Sequence, residues 1–121
     1  MNIMDRPVIV YGSRTLARML FCDARNHPAF TIAGFAVDAG FLAEDRQFLG
    51  LPQVAFESVR EQFPAEHYDL IALHAGTDAM RDRALFYHKA RSAGYRLRNY
   101  ISPGCDLAPD LRCGDNNVIM A

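Results

Sequence analysis

The residues best suited to binding chemistry follow the first predicted strand. Gly12, Ser13 and Arg14 come directly after the apolar run from Pro7 to Tyr11 and lead into a predicted helix. Glycine lets the backbone approach a diphosphate closely, and the free N–H groups at the start of a helix face an anion. Arg14 offers a charge-assisted hydrogen bond to a phosphate oxygen. Since only one glycine of the dinucleotide fingerprint is present, a plain strand-to-helix turn explains Gly12 equally well.

An acidic residue follows the second predicted strand. Asp38 comes after the run from Phe30 to Val37, where a carboxylate can accept hydrogen bonds from ribose hydroxyls or a base N–H. An aspartate that caps a turn before Gly40 is an equally common alternative. Gly12 and Asp38 are predicted to end adjacent strands, and this combination favours a ligand site.

A third loop adds two candidate ligand contacts, Gly76 and Asp78. Glycine lets the chain pass close to a ligand, whereas Thr77 or Asp78 could cap the following helix. Asp78 and Arg81 also have the spacing of a local ion pair. No nucleophile, base and orienting acid can be assembled from the side chains, and no metal-ligand spacing occurs. We therefore expect neither a catalytic residue nor a metal site in this chain.

The elements that position these residues alternate between strands and helices. Apolar, β-branched runs predict strands, and amphipathic periodicity predicts helices. The predicted strands are residues 7–11, 30–37, 50–54 (an edge strand), 68–74 and 96–100; the helices are 14–25, 57–63 and 77–93, and residues 39–49 are a loop. This alternation predicts an α/β fold with a parallel, doubly wound, Rossmann-like sheet and flanking helices.

Composition narrows the classes of function. The chain has 121 residues and a net charge of −1, with acidic and basic residues intermingled. Because no basic stripe is present, a nucleic-acid partner is not expected. No apolar run is long enough for membrane insertion. Three cysteines without metal-ligand spacing are typical of a reduced, cytoplasmic protein.

The last part of the chain has a different period. Ile101, Leu107, Cys113 and Ile119 recur every six positions. A hexapeptide period is typical of a β-helix, in which one coil takes three hexads and several repeats stack into a solenoid. We therefore expect residues 1–100 to form one domain. Residues 101–121 are expected to be the first coil of a left-handed β-helix that continues beyond the chain.

These motifs together resemble one family, the sugar acyltransferases. It includes sialic-acid O-acetyltransferases and bacterial nucleotide-amino-sugar N-acetyltransferases. The resemblance spans nearly the whole chain and is most specific at the junction into the hexads. The matching segments are Gly12-Ser13, Val37-Asp38, Gly50-Leu51-Pro52, Gly76-x-Asp78-x-x-Arg81, Gly94-Tyr95, Tyr100-Ile101-Ser102-Pro103 and Gly114-Asp115-Asn116.

The resemblance implies a division of labour between two domains. In the family, the N-terminal domain binds the nucleotide part of the acceptor sugar. The β-helix forms homotrimers, binds acetyl-CoA and supplies a histidine base. Residues carried over as substrate-binding are Gly12, Ser13 and Arg14 in the phosphate-side loop, Asp38 at the nucleoside, and Gly76 and Asp78 in the third loop.

The chain departs from the family in two respects. Many relatives have a glycine and a histidine where this sequence has Thr15 and Leu16, whose side chains narrow the space for a pyrophosphate. The family's catalytic histidine has no counterpart up to Ala121. We therefore expect an acceptor-binding domain that is inactive alone and does not itself bind acetyl-CoA. The alternative is a non-catalytic nucleotide- or partner-binding module.

Overall fold

The protein is an α/β structure in which strands and helices alternate. The computed structural model describes residues 6–12, 14–25, 27, 30–73, 79–101 and 118–119. The strands are β1 (Val8–Gly12), β2 (Ile32–Val37), β3 (Gln47–Phe48), β4 (Leu51–Ala55), β5 (Asp69–Leu73), β6 (Tyr100–Ile101) and β7 (Val118–Ile119). The helices are α1 (Arg14–Ala24), α2 (Val59–Gln62) and α3 (Ala79–Ser92), with 3₁₀ turns at Ala39–Phe41 and Phe56–Ser58. The predicted α/β class is confirmed.

The main sheet has the strand order β3-β4-β2-β1-β5. Strands β4, β2, β1 and β5 are parallel, so the chain moves outward from β1 on one side and then crosses to place β5 on the other. The prediction of a wholly parallel sheet with β4 at its edge is wrong. The edge strand is β3, which pairs antiparallel with β4. Leu49 and Gly50 turn this hairpin with positive φ angles of 53° and 81°.

Helices cover both faces of the sheet, as a doubly wound arrangement requires. Alternate residues of β1 enter two separate clusters. Val8 and Val10 pack against α1, whereas Ile9 and Tyr11 pack against α2 and α3. Because both faces of β1 are buried, the strand appears in the sequence as a continuous apolar run.

The segment between β2 and β4 is ordered by one buried amide. Gln53 is 1% exposed, and its Oε1 accepts a hydrogen bond of 2.7 Å from the N–H of Ala43. The backbone N–H of Gln53 donates to the carbonyl of Arg46 at 2.9 Å. The sequence predicts an irregular loop over residues 39–49. Its local pattern gives no sign that the Gln53 amide will form a hydrogen bond with Ala43, ten residues earlier.

A buried aspartate ties three segments together at the amino end of β5. Asp69 is fully buried, and the guanidinium groups of Arg6, Arg96 and Arg98 surround its carboxylate. Leu97 forms a single parallel bridge with Leu70 beside β5. The predicted strand 96–100 is therefore a one-residue bridge followed by β6.

The junction at Tyr100 is firmly anchored. Tyr100 is fully buried, donates its O–H to the Asp23 carboxylate on α1, and packs against the rings of His27 and Phe30. From this point β6 pairs in parallel with β7. Tyr100 lies opposite Val118, so each β6 residue pairs with the residue 18 positions later. The hexad positions Leu107 and Cys113 lie outside the described residues.

Of the helices in the described part of the chain, none combines the length and the apolar character needed to cross a membrane.

Candidate functional site

The two main candidate residues lie at the carboxyl ends of neighbouring strands. Gly12 is the last residue of β1, and Asp38 directly follows β2, its parallel neighbour. This is also the edge of the sheet at which strand order reverses around β1, the usual position of ligands in open α/β sheets. Arg14 is the first residue of α1. Ser13, Gly76 and Asp78 lie outside the described residues.

Packing alone requires a glycine at position 12. Gly12 has a φ of +122°, and a Cβ built there would lie 1.7 Å from the carbonyl oxygen of Leu73 and 3.1 Å from the ring of Phe86. A side chain at this position would separate β1 from β5. The structural explanation for Gly12 is therefore sufficient by itself.

The Asp38 carboxylate contacts polar groups of two elements, the Tyr11 hydroxyl on β1 and the Lys89 ammonium on α3. Its Oδ1 accepts a hydrogen bond of 2.6 Å from the Tyr11 hydroxyl and lies 3.0 Å from the Lys89 ammonium nitrogen. Among the described residues, the Asp38 side chain makes no capping bond to the following turn, whose closing bond runs from the Phe41 N–H to the Asp38 carbonyl. The turn-capping explanation is therefore wrong for the side chain.

Tyr11 is a fixed hydrogen-bond donor. Its ring is stacked between those of Phe56 and Phe86, with centres 4.1 Å and 4.6 Å away and planes inclined by 13°. Burial raises the pKa of the Tyr11 phenol far above its usual value, and the hydrogen bond to Asp38 and the charges of Asp38 and Glu57 raise it further. The phenol therefore stays protonated at physiological pH and cannot serve as a general base.

Lys89 is the only lysine in the chain. Its Nζ lies 5.5, 5.3 and 5.8 Å from the ring centres of Tyr11, Phe56 and Phe86, within the range of cation–π attraction. The side chains of Lys89 and Asp38 are 36% and 35% exposed, so solvent reaches both partners. We refer to these two residues as the Asp38–Lys89 pair.

A groove of about 430 Å³ has Lys89 in its lining. We call it the α2–α3 groove, and it is lined by Phe56, Glu57, Ser58, Val59, Arg60, Glu61, Lys89 and Ala93. Its volume is in the range of small-molecule sites. The Glu57 carboxylate also accepts a 3.0 Å hydrogen bond from the N–H of Ala39, the residue after Asp38. The loop that carries Asp38 is thus tied to the wall of the groove.

Sequence reasoning missed Tyr11, Lys89 and Phe56 as site residues. Lys89 lies 51 positions from Asp38, and no spacing rule connects two residues that meet across different elements. Two signals were nevertheless present. Lys89 is the single lysine among 13 basic residues, and Tyr11 places a polar tip at the end of an otherwise apolar strand.

The described residues contain no group of three His, Cys, Asp or Glu side chains that could hold a metal ion. Comparison with protein-family models, curated proteins and solved structures found no match. The geometry of the strand ends, the Asp38–Lys89 pair and the β6–β7 pairing is therefore the basis for assigning a function.

Proposed function

We propose that this chain is the acceptor-binding part of a bacterial sugar O- or N-acetyltransferase. The intact enzyme would transfer an acetyl group from acetyl-CoA to a nucleotide-linked sugar. The observation that carries the proposal is the parallel pairing of β6 with β7, in which Tyr100 lies opposite Val118. This 18-residue offset comes directly after an α/β domain in which Gly12 and Asp38 lie at adjacent strand ends.

The offset equals three hexads, the length of one coil of a hexapeptide β-helix. In such a solenoid each coil returns to the same face and pairs in parallel with the previous one. The six-residue recurrence of Ile101, Leu107, Cys113 and Ile119 has the same phase as this pairing. The backbone register agrees with the sequence period, and the proposal of a Rossmann-like domain followed by the first coil of a left-handed β-helix rests on this agreement.

The acceptor would lie across the carboxyl ends of β1 and β2. Its diphosphate would face the bare backbone at Gly12 and the start of α1, where Arg14 is the first residue. A ribose hydroxyl or base N–H would donate to Asp38, and the resemblance also carries over Gly76 and Asp78, which lie outside the described residues. Acetyl-CoA and the general base that activates the sugar amine or hydroxyl would come from further coils of a homotrimer.

Two observations favour a second function, the partner-binding form of a non-catalytic nucleotide- or partner-binding module. The carbonyl of Leu73 and the ring of Phe86 fill the space beside Gly12, and Asp38 already has two protein partners. A domain whose role is assembly with a partner would need no space for a ligand beside Gly12 or at Asp38. Nucleotide-sugar binding distinguishes the acceptor domain from a module that binds only a protein partner, since only the acceptor domain requires it.

Calorimetric titration of the chain with nucleotide sugars tests the proposal. We expect binding, and we expect Asp38→Asn to weaken it by about 1–3 kcal/mol, the cost of leaving a buried donor without its charged acceptor. Glu44→Gln is the matched control, because it removes one carboxylate from an exposed position in the same loop. If no nucleotide sugar binds, or if the two variants bind equally well, the acceptor-domain proposal is wrong.

A second measurement addresses catalysis. The chain, mixed with acetyl-CoA and a nucleotide sugar, is expected to release no CoA, because the family's catalytic histidine has no counterpart in it. CoA release that depends on the nucleotide sugar would contradict the assignment of the base to further coils.

A further inference from the structure

Tyr11 and Lys89 differ in how easily they can leave Asp38. Tyr11 is fully buried and fixed between two rings, so its hydroxyl is held in place. Lys89 presents its ammonium on a flexible stem, is about one third exposed, and lies at the rim of the α2–α3 groove. When a ligand hydroxyl approaches the carboxylate, Lys89 is the partner that can exchange.

The phosphate-side strand end lies close to the same lysine. A Cβ at Gly12 would lie 3.1 Å from the Phe86 ring, and the centre of that ring is 5.8 Å from the Lys89 nitrogen. Gly12 and the Lys89 ammonium therefore both lie near the Phe86 ring. A lysine side chain, with four methylenes and rotatable donors, can cover such a distance by changing rotamers.

From this arrangement we infer that Lys89 is a specificity-determining residue. Its ammonium holds Asp38 in the unliganded protein and moves to a phosphate of the bound ligand, so the site selects nucleoside diphosphates over nucleosides. This inference rests on the proposed nucleotide-binding function and adds to it a residue and a selection rule that the sequence pattern does not provide.

The selection follows from what each ligand offers to the displaced ammonium. A neutral nucleoside that occupies Asp38 removes the ionic partner of Lys89 and supplies no replacement. A nucleoside diphosphate occupies Asp38 through its ribose and also brings an anionic acceptor, so the ammonium exchanges one charge-assisted bond for another. Inorganic pyrophosphate brings the acceptor alone and leaves the Asp38–Lys89 pair intact.

Calorimetric titration of matched variants measures the affinity for diphosphates relative to nucleosides. The common ribonucleoside diphosphates, their parent nucleosides and pyrophosphate are titrated into wild type, Lys89→Met, Lys89→Arg and Arg91→Met. Methionine keeps most of the apolar stem, and Arg91→Met removes the same charge from an exposed position on the same helix. We expect Lys89→Met to reduce the diphosphate-over-nucleoside affinity ratio by about tenfold, from loss of the charge-assisted bond. Lys89→Arg should retain most of the ratio, and Arg91→Met should leave it unchanged.

The single lysine permits a direct observation of the exchange. Protein labelled with ¹³C-lysine carries one labelled side chain, so its Hε–Cε NMR signal reports Lys89 alone. We expect this signal to shift in Asp38→Asn and on addition of a nucleoside diphosphate. Pyrophosphate alone should shift it much less.

The outcomes separate this inference from the function on which it rests. If wild type binds diphosphates but Lys89→Met keeps the same ratio, the selection rule is wrong and the nucleotide site stands. If Lys89→Met is folded by circular dichroism and loses affinity for both ligand classes equally, Lys89 has only a structural role and the inference is again wrong. If wild type binds none of the probes, the inference and the proposed function are both wrong.

Discussion

Asp69 and Asp38 border strands of the same sheet, but their surroundings are opposite in character. Asp69 begins β5 at the amino end of the sheet and is fully buried, with Arg6, Arg96 and Arg98 around it. Asp38 follows β2 at the carboxyl end, is 35% exposed, and is paired with Tyr11 and Lys89.

The difference separates a buried charge cluster at the amino end of the sheet from a solvent-accessible ion pair at the proposed binding edge. The Asp69 carboxylate joins the start of β1, the start of β5 and the segment that leads to β6, and without it three partly buried guanidinium groups would lie close together unneutralised. The Asp38–Lys89 pair is accessible to solvent, and a solvent-accessible ion pair contributes little to stability. Its partners can therefore be exchanged at small cost, which a ligand-binding position requires.

The largest expected effect comes from removing the charge at the amino end. Asp69→Asn leaves three guanidinium groups, partly buried, without their carboxylate. We expect the free energy of unfolding to fall by about 3–5 kcal/mol, measured by urea denaturation. Asp38→Asn, at the exposed pair, should cost less than about 1 kcal/mol. Equal losses in the two variants would contradict the division between scaffold and binding edge.

A second prediction concerns Gly12, which lies at the same carboxyl end of the sheet as Asp38. Gly12→Ala places a methyl group against the Leu73 carbonyl at a φ that alanine rarely adopts, and we expect a loss of about 2–4 kcal/mol in thermal or urea unfolding. Gly40→Ala is the control, because among the described atoms nothing lies within 4 Å of its Cβ position. Its unfolding free energy should stay within about 0.5 kcal/mol of wild type. A tolerated Gly12→Ala would show that β1 and β5 can separate.

The smallest expected effect is a loss of stability at alkaline pH. Burial raises the pKa of Tyr95 to about 12; the charge of Arg60 lowers it and that of Glu66 raises it by lesser amounts. Between about pH 10 and pH 12 the unfolded phenol has lost its proton and the folded one keeps it. The folded state binds more protons, so stability falls as pH rises, by up to about 1.4 kcal/mol per pH unit for one group. Below about pH 10 the phenol is protonated in both states, so the stabilisation that Tyr95 contributes is fully present.

Urea unfolding of wild type and Tyr95→Phe across this range checks the sign. The free energy of unfolding of Tyr95→Phe should fall less steeply with pH than that of wild type. Some decline should remain, because burial also raises the pKa of Tyr11. Since Tyr95 donates to the Phe63 carbonyl near the amino end and Tyr11 donates to Asp38, the two phenols report on the two ends separately. Identical slopes in both proteins would contradict the assignment to Tyr95.

Part of the fold and of the site could be predicted because it depends on local pattern. Continuous apolar runs identify β1 and β5, since strands buried on both faces need no polar positions. Gly12 and Asp38 could be placed side by side because consecutive strands of a strand–helix–strand unit usually pair in parallel. The antiparallel β3 was missed, since two residues carry too little periodicity to identify a strand.

The amino-acid sequence by itself determined the order of strands and helices, the glycine and the acidic residue at adjacent strand ends, and the six-residue period of the tail. These features depend on neighbours a few positions apart. Only the tertiary structure decided that the Asp38 carboxylate turns towards Tyr11 and Lys89, that Gln53 binds the loop before it, and that Asp69 collects three arginines. Each of these contacts joins residues from separate elements, and their strength comes from burial and geometry that exist only after the sheet and its helices have packed.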